Sequence, residues 1–233
     1  MAQIPLALKL QPHASFDSFV PGPNSAAIEH LNAVAIGNRR ESVWLCGPPN
    51  SGKSHLLAAA CRVASEADLR PIYLSLDPTG EPAMLGQLEN MDLIALDNIH
   101  LVAGDSAWEA ALFSIFNARL ERGGLVVAAS AAPRESGFDL ADLVSRAGAA
   151  AIYRLNYLDD EELQAAVIGH ATRRGLSLES AEASYLLQRY SRDMGELTAC
   201  LDRIDQYSLA AQRRVTIPLL REVIEAEPPA SSL

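Results

Sequence analysis

The sequence predicts an α/β fold, a five-stranded parallel sheet flanked by helices, followed by a small all-helical domain. Three observations predict it. Five short apolar runs alternate with helical patterns, as expected of parallel strands buried on both faces. The first run ends at a glycine-rich loop that opens a helix. After Asn156 the strand signal stops, and every pattern to Glu225 is helical.

The opening residues are apolar but broken by Pro5 and Pro12, which reads as an extended tail over 1–12. Pro21-Gly22-Pro23-Asn24 is a turn, with Asn24 or Ser25 placed to cap a helix through about Ile36. The strands follow as Val43 to Cys46, Pro71 to Leu76, Leu93 to Leu96, Leu125 to Ala129 and Ala150 to Leu155. The longest helix is expected from about Asp105 to Arg122, with Trp108, Leu112, Ile115, Phe116 and Leu120 at helical spacing. Such a stripe reads as core. Asp159 and Glu162 form a capping-box pattern, so the domains divide near Leu158. The expected organisation is a tail over 1–12, a nucleotide-binding domain over 13–158, a helical domain over 159–226 and a frayed end over 227–233.

Composition narrows the functions. With 19 basic against 29 acidic residues the net charge is −10, which opposes direct binding to a polyanion. Cys46, Cys61 and Cys200 share no paired spacing, and the five histidines form no metal pattern. They read as reduced thiols and scattered imidazoles in a cytoplasmic protein. No apolar run reaches the roughly 18 residues of a membrane span, and no secretory leader is evident.

The chemistry sits in Gly47-Pro48-Pro49-Asn50-Ser51-Gly52-Lys53-Ser54, a full match to G-x-x-x-x-G-K-[ST]. A chance match in a chain this long is about one in a hundred, and this one follows a strand and opens a helix. Glycines let the loop curl so that N–H groups point at phosphate oxygens. Lys53 reaches the β- and γ-phosphates, and the Ser54 hydroxyl binds Mg²⁺. His55 lies next along, in the same nucleotide-binding stretch. Asp97, ending the third strand, is the expected second Mg²⁺ contact. Asn98 stands where a carboxylate would polarise water, and an amide cannot take the proton. Good binding of ATP or ADP with slow hydrolysis is expected.

These residues resemble the AAA+ family, and within it the DnaA-related branch. Ser15 to Val20, with Gly22 and Asn24, is similar to the segment that lies near the adenine. Asp97-Asn98-Ile99 stands where DnaA carries two consecutive aspartates. Asp142-Leu143-Val144-Ser145-Arg146 resembles the arginine-finger segment, which implies Arg146 as a group offered to a neighbour's γ-phosphate. A surface arginine paired with Asp139 or Asp142 is the plainer reading. Ser130 matches the sensor-one position, or is simply a polar strand end. The sensor-two arginine falls at Gly195, with Arg192 one turn earlier. The helical domain resembles the AAA+ lid.

The DNA-binding domain of DnaA does not follow the lid in this sequence, in keeping with the acidic charge. Gln3, Ile4, Leu6 and Leu8 resemble the peptide by which replication proteins dock on the sliding clamp, the β subunit of DNA polymerase III. The resemblance implies a regulator that docks on the DNA-loaded clamp and stimulates hydrolysis of DnaA-bound ATP, preventing re-initiation. DNA is met only through the clamp, and a homo-oligomer is open. The alternatives are an autonomous ATPase, such as a helicase loader or remodeller, and a non-catalytic adaptor of DnaA or the clamp.

Overall fold

The strands of the sheet follow one another in the order β2-β3-β4-β1-β5, all parallel. They are β1 (Val43–Cys46), β2 (Pro71–Ser75), β3 (Leu93–Asp97), β4 (Leu125–Ala129) and β5 (Ala151–Arg154). This is a computed structural model, and it describes residues 14–226. The tail residues Gln3, Ile4, Leu6 and Leu8, and the end over 227–233, lie outside the described residues.

Alternation along each strand explains why the runs are continuously apolar. Trp44 and Cys46 point into one core with Leu74, Ile94, Leu96 and Val127. Val43 and Leu45 point into the other with Tyr73, Ala95, Val126 and Ala128. Both faces are therefore covered. The first core is closed by helix α3 (Ser106–Arg119), through Trp108, Leu112, Ile115 and Phe116. The second is closed by α1 (Ser25–Ala35) and α2 (Lys53–Glu66). Each fully buried large side chain contributes about 1.5–3 kcal/mol, so the central strands are the most costly to disturb. A short helix, α4 (Ala141–Ala147), precedes β5.

Four expectations are corrected. α3 ends at Arg119, leaving Leu120 outside the helix and 55% exposed. Gly123 and Gly124, both at positive φ, turn the chain back there. The longest helix is instead the 18-residue α7 (Met194–Ala211). β5 is an edge strand whose residues alternate between half-buried and exposed, with Ile152 44% exposed. Asn24 does stand at the N-cap of α1, but its side chain caps nothing. Its amide instead clasps the backbone of Asn156, at 2.9 and 3.1 Å.

The chain divides into two units between Tyr157 and Leu158. The second unit is all helical: α5 (Asp160–Arg173), α6 (Ser180–Arg189), α7 and α8 (Ile217–Ala226). Asp159 and Glu162 form the capping box at the start of α5, satisfying two of its free N–H groups. Gly175, at φ 76°, follows its end. Leu163, Val167, Leu186, Leu197, Leu201 and Leu220 make the core of this unit. Among the described residues no helix is long and apolar enough to cross a membrane.

Candidate functional site

Parallel strands bring all their C-terminal ends to one edge of the sheet, where ligands of such folds gather. The loop Gly47–Gly52 leaves β1 there, and Asp97 ends β3 at the same edge. β4 lies between them in the sheet. Ser130 follows Ala129, the residue paired with Cys46, so it stands between the loop and Asp97. Its side chain is exposed.

The loop curls as its glycines allow. Asn50 and Gly52 take positive φ, 60° and 90°. A side chain at Gly52 would meet the Phe19 ring at 2.4 Å, and one at Gly47 would meet the Leu155 carbonyl at 2.6 Å. Tyr157 fastens the rim from outside, its hydroxyl donating to the Pro49 carbonyl at 2.9 Å. Lys53 Nζ donates to the carbonyls of Gly47 at 2.8 Å and Pro48 at 2.6 Å. Burial lowers the Lys53 pKa, and the nearby Asp97 charge opposes that shift. A cation is thus held over a curled loop at the start of α2, an arrangement suited to an anionic phosphate chain.

Asp97 is 1% exposed. Its Oδ2 accepts the Tyr73 hydroxyl at 2.6 Å and its Oδ1 accepts the Asn98 N–H at 2.8 Å. Ser54 lies close enough to the same phenol to counter part of the rise in its pKa. Burial, then the Asp97 carboxylate, raises the Tyr73 pKa, so the phenol stays protonated and donating. Ser54 and Asp97 both act on Tyr73, and they are the two residues here with the oxygen chemistry a Mg²⁺ ion requires. Tyr73 was not anticipated from the sequence, where it reads as one more apolar strand residue. Asn98 adopts a left-handed conformation at φ 56° and turns its amide to the Ser75 hydroxyl, 3.0 Å away.

His55 is engaged by the segment before α1. Its Nε2 lies 2.9 Å from the Ser15 carbonyl and 3.2 Å from the Ser18 hydroxyl. Its ring is 5.7 Å from that of Phe19. It therefore fastens the turn containing Phe16 and Asp17 to α2. That turn brings Ser15 to Phe19 beside the phosphate loop.

Arg146 is exposed on the last turn of α4. Among the described residues its guanidinium has no ion pair or hydrogen bond, so neither Asp139 nor Asp142 holds it. The helix itself is held by Glu109, 2% exposed on α3. The Glu109 carboxylate accepts N–H groups from Gly104 at 2.8 Å, Asp139 at 3.0 Å and Leu140 at 2.6 Å. Leu140 is the N-cap of α4, so a buried carboxylate fixes the entry to the helix that carries Arg146. In the second unit, Arg192 lies before the start of α7 and is engaged by Asp160. Gly195 sits in the first turn, behind the Asp193 cap.

Comparison with known proteins extends this picture. Residues 159–224 match the family model described as the Hda lid domain. The fold is similar to domain III of the Thermotoga maritima replication initiation protein DnaA, with a TM-score of 0.75 at 21% identity over 92% of this chain and 97% of that one. AMPPCP-bound DnaA from Aquifex aeolicus gives 0.71 at 21% identity, over 87% of this chain and 68% of that one. The Thermotoga maritima RuvB Holliday junction branch migration motor gives 0.66 at 19% identity, over 93% and 72%. At these identities the likeness is one of fold, the AAA+ fold.

Proposed function

The chain is an Hda-like, DnaA-related AAA+ protein, and from that premise we propose that it is a regulator of replication initiation acting on DnaA. The observation that carries the reading is an Hda-type lid joined to a DnaA-like nucleotide-binding fold. It docks on the DNA-loaded sliding clamp through the tail with Gln3, Ile4, Leu6 and Leu8. It then stimulates hydrolysis of DnaA-bound ATP through Arg146. The chain works in the cytoplasm and meets DNA only through its partners.

Its own nucleotide, ATP or ADP, is held by the loop from Gly47 to Ser54, with Phe19 and the segment around it on the adenine side. Mg²⁺ is held by Ser54 and Asp97, and supplies charge neutralisation of the phosphates. Tyr73 keeps the Asp97 carboxylate aimed, and Lys53 exchanges its bonds to loop carbonyls for phosphate oxygens. Asn98 offers no base, so this nucleotide governs shape and assembly and is hydrolysed slowly. Ser130 stands where a polar side chain reads the terminal phosphate.

Arg146 serves the partner's site. An exposed, unengaged guanidinium on a rigidly entered helix can be offered to the γ-phosphate of a neighbouring subunit. There it neutralises charge that grows in the transition state, an effect of about a thousandfold or more in rate. A steady-state ATPase assay on the chain alone tests this division of labour. Turnover near background is expected. Vigorous turnover without DnaA would instead identify an autonomous ATPase.

A further inference from the structure

Strand direction leaves a second edge of the sheet, opposite the phosphate loop, and five arginines gather there. A cavity of about 560 Å³ opens at this edge, within the range of roughly 300–1,000 Å³ typical of ligand pockets. Arg39, Arg40, Arg70, Arg119 and Arg122 line it, five of the 19 basic residues in a chain of net charge −10. Three carboxylates, Glu89, Asp92 and Glu121, line it too.

Two of the arginines are committed to carboxylates. Arg70 grips Asp92 through Nε at 2.9 Å and Nη2 at 3.2 Å. Arg39 lies 3.6 Å from Glu41. The other three have no carboxylate partner among the described residues. Arg119 is 3% exposed, and its guanidinium donates to the carbonyls of Leu88 at 2.9 Å, Met91 at 2.7 Å and Gly123 at 3.5 Å. Burial and the neighbouring Arg122 lower its pKa. Arg122 donates to the Glu89 carbonyl at 3.0 Å, and Arg40 is exposed.

The backbone holds this wall rigidly. A side chain at Gly123 would meet the Arg40 backbone at 2.4 Å, and one at Gly124 the Asp92 carbonyl at 2.1 Å. Loops before β1, β3 and β4 are thus packed main chain against main chain, and the arginine stems rise from fixed points. The buried Arg119 cation is hydrogen-bonded only to carbonyls, and the one carboxylate acting on it, Asp92, is already gripped by Arg70. Such burial is costly, and an anion in the cavity offsets that cost.

We propose that this cavity is a second anion site, which binds a phosphate-bearing ligand between Arg40, Arg119 and Arg122. Guanidinium forks match phosphate oxygens in pairs, and an otherwise acidic surface directs an anion to this spot. The site is independent of the phosphate loop and of the regulatory role.

Pyrophosphate binding measured by calorimetry on the full chain tests it, in wild type, Lys53→Ala and the Arg40→Ala/Arg122→Ala pair. Both arginines are exposed, so the paired variant is expected to keep the wild-type circular dichroism. The expected result is binding that survives Lys53→Ala and weakens about tenfold or more in the arginine pair. A single-stranded oligonucleotide is then added. If it displaces pyrophosphate, the natural ligand is a phosphodiester backbone; if it does not, the ligand is a free phosphate compound. No binding to wild type, loss in Lys53→Ala, or equal binding in the arginine pair overturns the proposal.

Discussion

Tyr73 on β2 reaches diagonally across the sheet to Asp97 on β3, hydroxyl to carboxylate, at 2.6 Å. In register Tyr73 pairs with Ala95, whose small side chain leaves the ring room to extend two residues further along the same face. Tyr73→Phe keeps the ring and deletes the donor. A hydrogen bond to a charged group contributes about 1.5–3 kcal/mol, so Mg²⁺-dependent nucleotide affinity is expected to fall about tenfold. Titrating Mg²⁺ against a fluorescent nucleotide checks this. An unchanged Mg²⁺ dependence would mean that Asp97 is aimed without Tyr73.

Glu109 is the counterpart for Arg146. Glu109→Ala strips an acceptor from the N–H groups of Gly104, Asp139 and Leu140 at once. An unsatisfied buried donor costs about 1–3 kcal/mol, so a loss of at least about 3 kcal/mol is expected in denaturant unfolding. Glu109→Gln retains one acceptor and should fall between. A stability equal to wild type for Glu109→Ala would show that this loop finds its hydrogen bonds elsewhere.

His55 gives the fold a pH dependence of definite sign. Burial holds its pKa below the usual histidine value, so the unfolded chain takes up protons first as pH falls. Stability is then complete above the unfolded pKa and declines from about pH 7 towards pH 5. His100, lowered by burial and by Lys53, acts in the same direction. Unfolding midpoints across this range should slope less steeply in His55→Gln. Parallel slopes for the two proteins would exclude His55 as the source.

Deleting Met1 to Leu10 separates the tail from the fold. Clamp-dependent stimulation should disappear while equilibrium nucleotide affinity stays within about twofold of wild type. If nucleotide affinity is lost as well, those residues belong to the nucleotide-binding domain.

The strands were legible because burial on both faces removes polar residues from them, and Gly47 to Ser54 because phosphate chemistry tolerates so few alternatives. Parallel pairing then had to bring that loop and Asp97 to the same edge. The edge character of β5 was marked in the sequence only by Arg154, a basic residue inside the run Ala150 to Leu155 of a kind the central strands lack. The end of α3 was not legible, because the pattern runs on to Leu120 and the break comes from backbone packing at Gly123 and Gly124. Tyr73 and Glu109 escaped notice for a common reason. Each is defined by a partner distant in sequence, and no local spacing marks it. The reading as a regulator of DnaA rested on the clamp-type tail joined to a DnaA-like nucleotide-binding segment, whereas the part that a family model matches is the helical domain, read from the sequence only as an AAA+ lid.

The central claim is that Arg146 acts in trans on DnaA-bound ATP. The direct measurement is single-turnover hydrolysis of ATP preloaded on DnaA, with DNA-loaded clamp, comparing no addition, the wild-type chain and Arg146→Ala. Because Arg146 is exposed and unengaged, the variant should match wild type in stability within about 0.5 kcal/mol. Acceleration by the wild-type chain that needs the clamp and falls about a thousandfold in Arg146→Ala is the predicted result. Equal acceleration by Arg146→Ala, or none by the wild-type chain, would contradict it.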